Sequence, residues 1–386
     1  MKILHISVAG ICDKFYGIFL PSIQSSMDIY QDLYIPYCAD DYNESDLEII
    51  SRYELNGIHT IALPIKNKSD RILYHKKINK YKKKLEKILN VKEYNIIHAH
   101  SLYSDGGVAY LLHKKYHIPY LVAVRITDLV FMQRLPYLRS YGRKIIENAQ
   151  TVIFITPDLK KSTKEYLYKK SDFYINGEVL PNGIDDYWHE NSRKVAKKRN
   201  YDEIRLIQVS RLKKNKHIDE TISAVNILKN QGYTVSLDIL GTGEELENLK
   251  RLISKLELKE NVHLRGFVSN KNEIKFYYEN NDIFVMPSAR ETFGLTYIEA
   301  MSQGLPIIGI SGTGVSGFYK DGQVGYFIKE PNAQMIVESI KKIMSNYSVI
   351  SNNCINEIQS FNWKAIINRY KEIYSVIYKG DKNDIV

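Results

Sequence analysis

Short apolar segments with strand patterns alternate with helical patterns from one end of this chain to the other. Such alternation predicts parallel sheets covered by helices, because two parallel strands are joined through a crossover helix. The expected strands are residues 2–8, 32–36, 58–63, 95–99, 119–125, 151–155, 204–210, 234–240, 262–264, 282–286 and 306–309.

A break in the alternation predicts two domains. The chain has 386 residues, and ~100–200 residues per domain is typical. Val179–Asp185 contains Pro181, Asn182 and Gly183, which mark a turn, and a charged stretch at 190–204 leads into the second set of strands. We therefore expect two wound domains joined near residue 182.

Composition places the chain among soluble globular proteins, with 44% hydrophobic and 25% charged residues. No apolar run approaches the ~18 residues of a membrane span, and Met1–Val8 fits a first buried strand better than a signal peptide. Cys12, Cys38 and Cys354 are odd in number and widely spread, which favours a reduced compartment without a disulfide framework. The expected location is the cytoplasm, with peripheral attachment to the inner face of the cell membrane as an option.

The net charge of +10 is concentrated in one segment with few acidic residues. Its basic residues are Lys66, Lys68, Arg71, Lys76, Lys77, Lys80, Lys82, Lys83, Lys84, Lys87 and Lys92. Apolar side chains there step by four and three residues, the period of an amphipathic helix: Tyr74, Ile78, Tyr81, Leu85 and Ile88. A solvated surface helix and a site for an anionic membrane surface both fit this pattern. Nucleic acid fits worst, because no recognition motif or aromatic platform accompanies the charge.

A strand, a loop and a helix that follow one another near residue 290 predict an anion site. Asp282–Pro287 has the pattern of a short buried strand, and a helix packed by Ile298 and Met301 follows the loop. The first N–H groups of a helix lack internal partners and bind anions. Glu291 in the loop and Glu299 in the helix could accept hydrogen bonds from vicinal hydroxyls. The alternative is a solvated loop residue and a helix-face charge.

Further candidates follow other strands. Arg211 and Lys216 come after the strand at 204–210, where a guanidinium and an ammonium could hold two phosphates; a basic surface turn is the alternative. Gly17 follows the first strand, where a backbone without Cβ allows a ligand to approach closely. A sugar joined through a diphosphate to a nucleoside would satisfy these features together.

The spacing of Glu291 and Glu299 resembles the Glu-x7-Glu donor motif of the family-four retaining glycosyltransferases. These enzymes have the GT-B fold, an α/β architecture of two Rossmann-like domains that face each other across a central cleft. The resemblance implies that Glu291 lies near the hydroxyls of the transferred sugar and Glu299 on the ribose. It also implies that the backbone of Phe293, Gly294 and Leu295 holds the diphosphate.

The same resemblance extends to the other loops. Arg211 and Lys216 match the family's Arg-x4-Lys pair, which neutralises the leaving nucleoside diphosphate and makes a metal unnecessary. The remaining donor-binding residues that it implies are Gly17, Gly241, Phe267, Val268 and Thr292.

Histidines mark the strand at 95–99. His98 and His100 share a strand face, and His113 and His117 are spaced for one helix face. A zinc site is conceivable, but no carboxylate or third cluster supports it, so buried histidines that are satisfied by hydrogen bonds are favoured. The family often has His-Ala-His at this strand end, in a loop that approaches donor and acceptor, which makes His100 a candidate catalytic residue.

Arg125 departs from the commoner family pattern, which has a histidine there that contacts the transferred sugar. Arginine cannot act as a base because it stays protonated. Retaining transferases of this kind are thought to need no protein base, so Arg125 could steady the diphosphate or bind an anionic sugar. A structural pairing of Arg125 with Asp128 is the alternative. The candidate catalytic residues are thus Glu291, Arg125, His100 and Asp128.

The resemblance implies a retaining, hexosyltransferase-type enzyme that moves a sugar from a nucleotide-diphosphate sugar to a hydroxyl of a glycan or lipid-linked acceptor. Such enzymes commonly build bacterial surface polysaccharides. Residues 1–181, completed by a closing helix at 365–386, would bind the acceptor, and residues 182–364 the donor. A nucleotide-sugar epimerase on the same fold and a non-catalytic partner subunit are the rival functions. No cofactor, metal or nucleic acid is expected.

Overall fold

The computed structural model describes residues 1–8, 19–20, 23, 29–37, 58–67, 70, 73–169, 171, 173–197 and 203–383. The chain divides into two compact units, Met1–Asn182 with Trp363–Val386 and Gly183–Asn362, called here the first and the second unit. The sequence places the corresponding boundaries at 181/182 and 364/365. Gly17, Cys12, Cys38, Lys68 and Arg71 lie outside the described residues.

The first unit contains a sheet of seven parallel strands in the order β3-β2-β1-β4-β5-β6-β7. Its strands are β1 (Lys2–Ile6), β2 (Tyr30–Pro36), β3 (His59–Leu63), β4 (Ile96–Ala99), β5 (Tyr120–Val124), β6 (Thr151–Phe154) and β7 (Gly177–Val179). Strands β4, β5 and β6 are buried along their whole length. A parallel strand that is covered on both faces reads as a continuous apolar run, and this explains why the sequence marks these strands so clearly.

Within the described residues before the domain boundary, the α-helices that accompany this sheet are α1 (Tyr74–Ile88), α2 (Ser104–Tyr116), α3 (Ile126–Arg134), α4 (Arg139–Glu147) and α5 (Pro157–Tyr168). The start of α5 has an evident local cause. Thr156 accepts a hydrogen bond from the backbone N–H of Leu159 through its hydroxyl, and Pro157 occupies the first helical position, where its missing N–H costs nothing.

The second unit contains six parallel strands in the order β10-β9-β8-β11-β12-β13. They are β8 (Glu203–Val209), β9 (Thr234–Leu240), β10 (Val262–Gly266), β11 (Ile283–Val285), β12 (Ile307–Ile310) and β13 (Gly325–Ile328). The helices are α6 (Asp186–Glu190), α7 (Ile218–Asn230), α8 (Leu246–Lys255), α9 (Lys271–Asn280), α10 (Leu295–Ser302), α11 (Ala333–Ser345) and α12 (Tyr347–Glu357).

A buried ion cluster ties the two central strands of the second sheet together. Asp282, directly before β11, is fully buried and accepts two hydrogen bonds from the guanidinium of Arg205 on β8. The Lys197 ammonium lies 3.3 Å from the same carboxylate, and burial lowers the pKa of Lys197 to about 8. Pairing of this kind offsets the cost of burying an ionised carboxylate.

The closing helix, α13 (Trp363–Asn383), belongs to the first unit, and the sequence expects this helix at 365–386. Its apolar face joins the core that β1, β4, β5 and β6 contribute to. The buried side chains recur at helical spacing: Trp363, Ile366, Ile367, Tyr370, Ile373, Tyr374 and Ile377. No helix within the described residues has the length and apolar character needed to cross a bilayer.

Two strands were not predicted, β7 and β13, and the expected turn at Val179–Asp185 begins with the last residue of β7. Both strands are short and start with glycine, which disfavours strands in sequence patterns. Close approach of the neighbouring backbone requires this glycine. A Cβ on Gly177 would lie 2.6 Å from the Val152 carbonyl oxygen, and one on Gly325 would lie 1.8 Å from that of Ile307.

Candidate functional site

Strand order locates the candidate sites. In both sheets the first six strands of the unit follow the order 3-2-1-4-5-6, and ligands of such sheets bind beyond the carboxyl ends of the strands where the order reverses. The reversal lies between β1 and β4 in the first unit and between β8 and β11 in the second. The loops that follow these four strands therefore carry the chemistry to be assessed.

An ion pair joins the two loops at the reversal point of the second unit. The Lys216 ammonium, after β8, lies 2.5 Å from Oε2 of Glu291, after β11. The two side chains are only 16% and 15% exposed. Ala289 also donates a backbone hydrogen bond to the Asn215 carbonyl, so the two loops are connected by backbone as well as by charge.

The loop after β12 fixes the backbone of Glu291. Thr313 accepts a hydrogen bond from the Glu291 N–H and donates its hydroxyl to the Glu291 carbonyl. The Gly314 N–H donates to the same carbonyl at 3.1 Å. Three loops thus meet at Glu291, through its carboxylate on the Lys216 side and through its backbone on the Thr313 side. The sequence did not single out Thr313 or Gly314; the Gly-Thr-Gly run after the strand at 306–309 was the available signal.

The loop after Glu291 leads into α10 as the sequence predicts. Gly294 has φ +83° and directly precedes Leu295, the first helical residue; this left-handed conformation favours glycine. Phe293 is buried against Phe318 and Phe361, while Thr292 is exposed. The free N–H groups of the first helical turn give this end of α10 a positive potential.

Glycine shapes the neighbouring loops. A Cβ on Gly241 would lie 1.9 Å from the Ser210 carbonyl oxygen, and φ is +142° there. Leu212 donates a backbone hydrogen bond to Thr242, and Gly241 donates one to Gly266. The loops after β8, β9 and β10 are therefore held side by side, and Arg211 is exposed on the first of them.

The remaining donor-binding candidates of the second unit lie on two elements. Phe267 directly follows β10 and is 73% exposed, and Val268 beside it is half-buried. Glu299 lies one turn inside α10 and is half-buried. Burial raises the pKa of Tyr278, and the negative charge of Glu299 adds to this effect. The Glu299 carboxylate therefore lies on the side of α10 that faces Tyr278.

Three histidines meet at the reversal point of the first unit. His5 on β1 lies opposite His98 on β4, and His100 directly follows β4. Nδ1 of His5 lies 3.1 Å from Nε2 of His100, and the rings of His98 and His100 stack at 4.0 Å. All three are buried, and burial lowers the pKa of His5 to about 3 and those of His98 and His100 well below their usual value.

The sequence analysis found no further ligand to support a zinc site at His98 and His100, and the structure adds a third histidine, His5, to this pair. The sequence analysis missed His5, although its place in a first parallel strand was the signal that could have found it. His113 and His117, the pair considered there, do not belong to the described cluster. His113 Nδ1 contacts the Ile118 carbonyl, and His117 ends α2 in a left-handed conformation.

Asp128 caps a helix and holds a neighbouring loop. Its carboxylate is buried and accepts backbone hydrogen bonds from Leu102, Tyr103 and Arg125. These bonds cap the start of α3 and hold the loop after β4. The alternative pairing of Arg125 with Asp128 is thus present through the Arg125 backbone, while Nε of Arg125 donates to the His100 carbonyl at 3.0 Å.

Asp105, in the first turn of α2, is a second buried carboxylate near this reversal point. It accepts a hydrogen bond from the Val8 N–H at 2.6 Å through Oδ1, whereas Oδ2 has no hydrogen-bond partner among the described residues. Burial raises the pKa of Asp105 to about 7. The sequence analysis assigned this residue no role.

Comparison with known proteins shows which family the chain belongs to. Residues 190–360 match the family described as glycosyl transferases group 1, and residues 38–187 match the one described as glycosyltransferase family 4. The chain belongs to the family-four glycosyltransferases. The first matched segment lies within the second unit, and the other covers much of the first unit and ends just inside the second.

Relatives of this glycosyltransferase include an uncharacterized glycosyltransferase from Haemophilus influenzae, 29% identical over 44% of the chain, which spans 48% of that relative. The N-acetyl-alpha-D-glucosaminyl L-malate synthase of Bacillus anthracis is 22% identical over 78% of the chain and 79% of that relative. The alpha-monoglucosyldiacylglycerol synthase of Acholeplasma laidlawii is 27% identical over 66% of the chain and 67% of that relative.

Solved structures show that this glycosyltransferase has the GT-B fold. Sucrose-phosphate synthase from Thermosynechococcus elongatus superposes with a TM-score of 0.70 at 19% identity, over 98% of this chain and 100% of that one. HepE from Anabaena, solved in complex with UDP, gives 0.68 at 16% identity, over 97% and 100%.

Asp105 gives a pH-dependent prediction. Burial raises its pKa from an ordinary value of 3.8 to about 7 in the folded chain, so between these values the folded form holds a proton that the unfolded form releases. Its contribution to stability therefore falls as the pH rises from 3.8 to about 7 and is constant above. Asp105→Asn should remove this fall, and its stability relative to wild type should rise by roughly 2–4 kcal/mol across the window.

Urea unfolding of both proteins at a series of pH values measures this difference. The slope of the unfolding free energy against pH is compared, not its absolute value. The asparagine amide introduces a buried donor that can change stability equally at every pH. Parallel pH profiles for wild type and variant would show that Asp105 is already ionised in the folded chain.

Proposed function

We propose that this glycosyltransferase moves a sugar, with retention of configuration, from a nucleotide-diphosphate sugar to a hydroxyl of a glycan or lipid-linked acceptor. The observation that supports the proposal best is the Lys216–Glu291 contact at the reversal point of the second sheet. It puts a cation for phosphate and an acceptor for sugar hydroxyls within one hydrogen bond of each other, beside a helix N-terminus.

The diphosphate would be held by two cations and by backbone. Arg211 is exposed on the loop after β8 and can offer its guanidinium fork to phosphate oxygens. Lys216 can turn from Glu291 to the diphosphate or serve both. The N–H groups at the start of α10, around Gly294 and Leu295, add the preference of a helix N-terminus for anions.

The neutral parts of the donor have partners of matching chemistry. Glu291, whose backbone Thr313 holds, can accept hydrogen bonds from the hydroxyls of the transferred sugar through its carboxylate. Glu299 can accept them from the ribose. The exposed ring of Phe267 offers a face on which a nucleobase can stack. Val268 and Gly241 would line the same side of the base.

Transfer itself needs little acid–base chemistry from the protein. The bond between the anomeric carbon and the phosphate oxygen breaks, and the acceptor oxygen bonds to that carbon on the same face. The acceptor proton passes to the departing phosphate oxygen. Arg211 and Lys216 stabilise the negative charge that develops on the diphosphate, an effect that acts more strongly in the transition state than in the ground state.

The names of the relatives guide the choice of acceptor. One joins a glucosaminyl group to malate, another makes a glucosylated diacylglycerol, and a third is a capsular polysaccharide biosynthesis glycosyltransferase from Staphylococcus aureus. A hydroxyl on a surface glycan or a lipid-linked precursor is the acceptor we propose. A nucleotide-sugar epimerase would instead convert donor alone, and product analysis without acceptor separates the two.

Binding of UDP, used as the probe, tests the donor site. Arg211→Ala and Lys216→Ala should each weaken binding by about 10- to 100-fold, since each removes a charge-assisted contact of ~1.5–3 kcal/mol. Lys255→Ala, which removes an exposed lysine at the end of α8, is the matched control and should bind as wild type. Isothermal titration calorimetry provides the affinities.

The same titration tests metal independence at the diphosphate. Because two cations are already present, affinity for UDP should be the same with excess EDTA as with excess Mg²⁺. Unchanged affinity in both the Arg211 and the Lys216 variant would refute the assigned site. A strong dependence on Mg²⁺ would refute the two-cation scheme and leave the site intact.

The basic segment of the first unit supports attachment to membranes, and the structure shows which of its lysines are exposed to meet a membrane. Lys77 points inward and donates to the Ser104 hydroxyl, while Lys80 pairs with Asp70. The exposed lysines among the described residues of this segment are Lys76, Lys83, Lys84, Lys87 and Lys92. The apolar face of α1 is buried as expected, except that Ile88 is 48% exposed. We infer that the exposed lysines attract anionic headgroups at the cytoplasmic face of the membrane.

Vesicle sedimentation tests this attachment. Wild type should bind anionic vesicles and be released by salt, because the Debye length shortens to ~3 Å near 1 M. Replacing Lys76, Lys83, Lys84 and Lys87 with Gln should abolish binding. The control replaces four exposed lysines of the second unit, Lys250, Lys255, Lys259 and Lys271. Equal loss in both variants would assign the effect to net charge and would contradict a local membrane-binding surface.

A further inference from the structure

The histidine cluster of the first unit has the donor chemistry of a metal site that the proposed transfer reaction does not use. One ligand nitrogen from each of His5, His98 and His100 lies within 4.8 Å of those from the other two. The pair His5 Nδ1 and His100 Nε2 is already at 3.1 Å. Nitrogens on a tetrahedral zinc ion are ~3.3 Å apart for Zn–N bonds of ~2.0–2.1 Å.

Hydrogen bonding fixes which nitrogen of His5 is available. Gln31 donates its amide N–H to the Leu20 carbonyl, so its oxygen faces His5. Nε2 of His5 must therefore carry the proton and donate to Gln31 at 3.0 Å. Nδ1 of His5 then presents a lone pair to the centre of the cluster.

His98 is oriented in a comparable way from the closing helix. Its Nδ1 lies 2.7 Å from the hydroxyl of Tyr374 on α13. Its Nε2 is buried and has no hydrogen-bond partner among the described residues. A buried ring nitrogen without a partner is uncommon, and a metal ion at the centre of the cluster would satisfy it.

We propose that His5, His98 and His100 bind a zinc ion through Nδ1, Nε2 and Nε2 respectively. Imidazole nitrogen suits zinc, and ligating histidines commonly donate their other ring N–H to an oxygen, the part that Gln31 and Tyr374 take here. Binding replaces the hydrogen bond between His5 and His100: the proton on Nε2 of His100 moves to its Nδ1, and both facing nitrogens offer lone pairs. The three histidines themselves release no proton, whereas formation of hydroxide from a zinc-bound water would release one.

The charges around the cluster bear on its affinity. The carboxylate of Asp32 acts favourably on a cation at His5, and the guanidinium of Arg125 acts unfavourably at His98 and His100. Three neutral ligands leave the fourth tetrahedral position for water or hydroxide, and hydroxide there would reduce the buried charge. This site lies in the first unit and does not depend on the donor site of the second.

Zinc binding by the full chain is the experiment. The protein is stripped with a chelator, freed of it, and titrated with Zn²⁺ against a chromophoric competitor, both as native protein and after refolding with Zn²⁺, because the cluster is buried. One equivalent should bind. Co²⁺ in its place should show the visible absorption of a tetrahedral site.

Variants locate the ion. Tyr374→Phe should lower Zn²⁺ affinity by about 10- to 100-fold, as loss of an outer hydrogen bond to a ligand typically does, and His98→Gln should abolish tight binding. His117→Asn is the control, because it removes an exposed histidine of the same unit at a position whose left-handed backbone Asn tolerates. It should bind one equivalent with wild-type affinity.

Two results would overturn the proposal. Absence of tight Zn²⁺ binding by wild type in both loading protocols would leave a neutral hydrogen-bonded relay of histidines. Equal affinity in wild type, Tyr374→Phe and His98→Gln would put the ion elsewhere. Titration of the same samples with UDP measures nucleotide binding by the second unit independently of zinc. Failure of the zinc site and failure of the donor site are therefore distinguishable.

Discussion

The reversal of strand order between the first and fourth strands is the constraint on which both sites depend. In each sheet the chain adds strands on one side of the first strand and then on its other side. The loops after the two central strands therefore have no crossover helix between them. In the second unit the reversal brings Lys216 to Glu291, and in the first it brings His5 to His98 and His100. One topological rule thus creates two groups of polar side chains with different chemistry.

Two kinds of contact hold the polar loops of the second unit in place: an ion cluster at the start of the strands and contacts from neighbouring loops. The amino ends of β8 and β11 are held together by Asp282, Arg205 and Lys197. This contact fixes the relative position of the two strands and of the loops that follow them. Gly241 lets the loop after β9 contact Ser210, and Thr313 fixes the Glu291 backbone. These contacts hold the loops that carry Lys216 and Glu291 in place. Charged groups that are held in this way can act on a diphosphate without reorganising.

Sequence reasoning succeeded where a local pattern and the packing agree. Strands such as β5 are buried on both faces and read as apolar runs, and the loop from Glu291 into α10 has its signals within a few residues. Long-range events were missed. His5 pairs with His98 across ninety-odd residues of chain, Thr313 reaches back to Glu291, and Gly177 and Gly325 are required by a neighbouring strand. The capping contacts of Asp128 were not foreseen either, because its partners are backbone groups that the sequence does not display.

The central claim is that the loops at the reversal point of the second sheet bind the nucleoside diphosphate of the donor. A crystal structure of the full chain with UDP tests it most directly. The account predicts that the diphosphate oxygens contact the side chains of Arg211 and Lys216 and the backbone N–H groups at the start of α10, with the ribose on Glu299. A diphosphate bound away from both cations, or within the first unit, would contradict it.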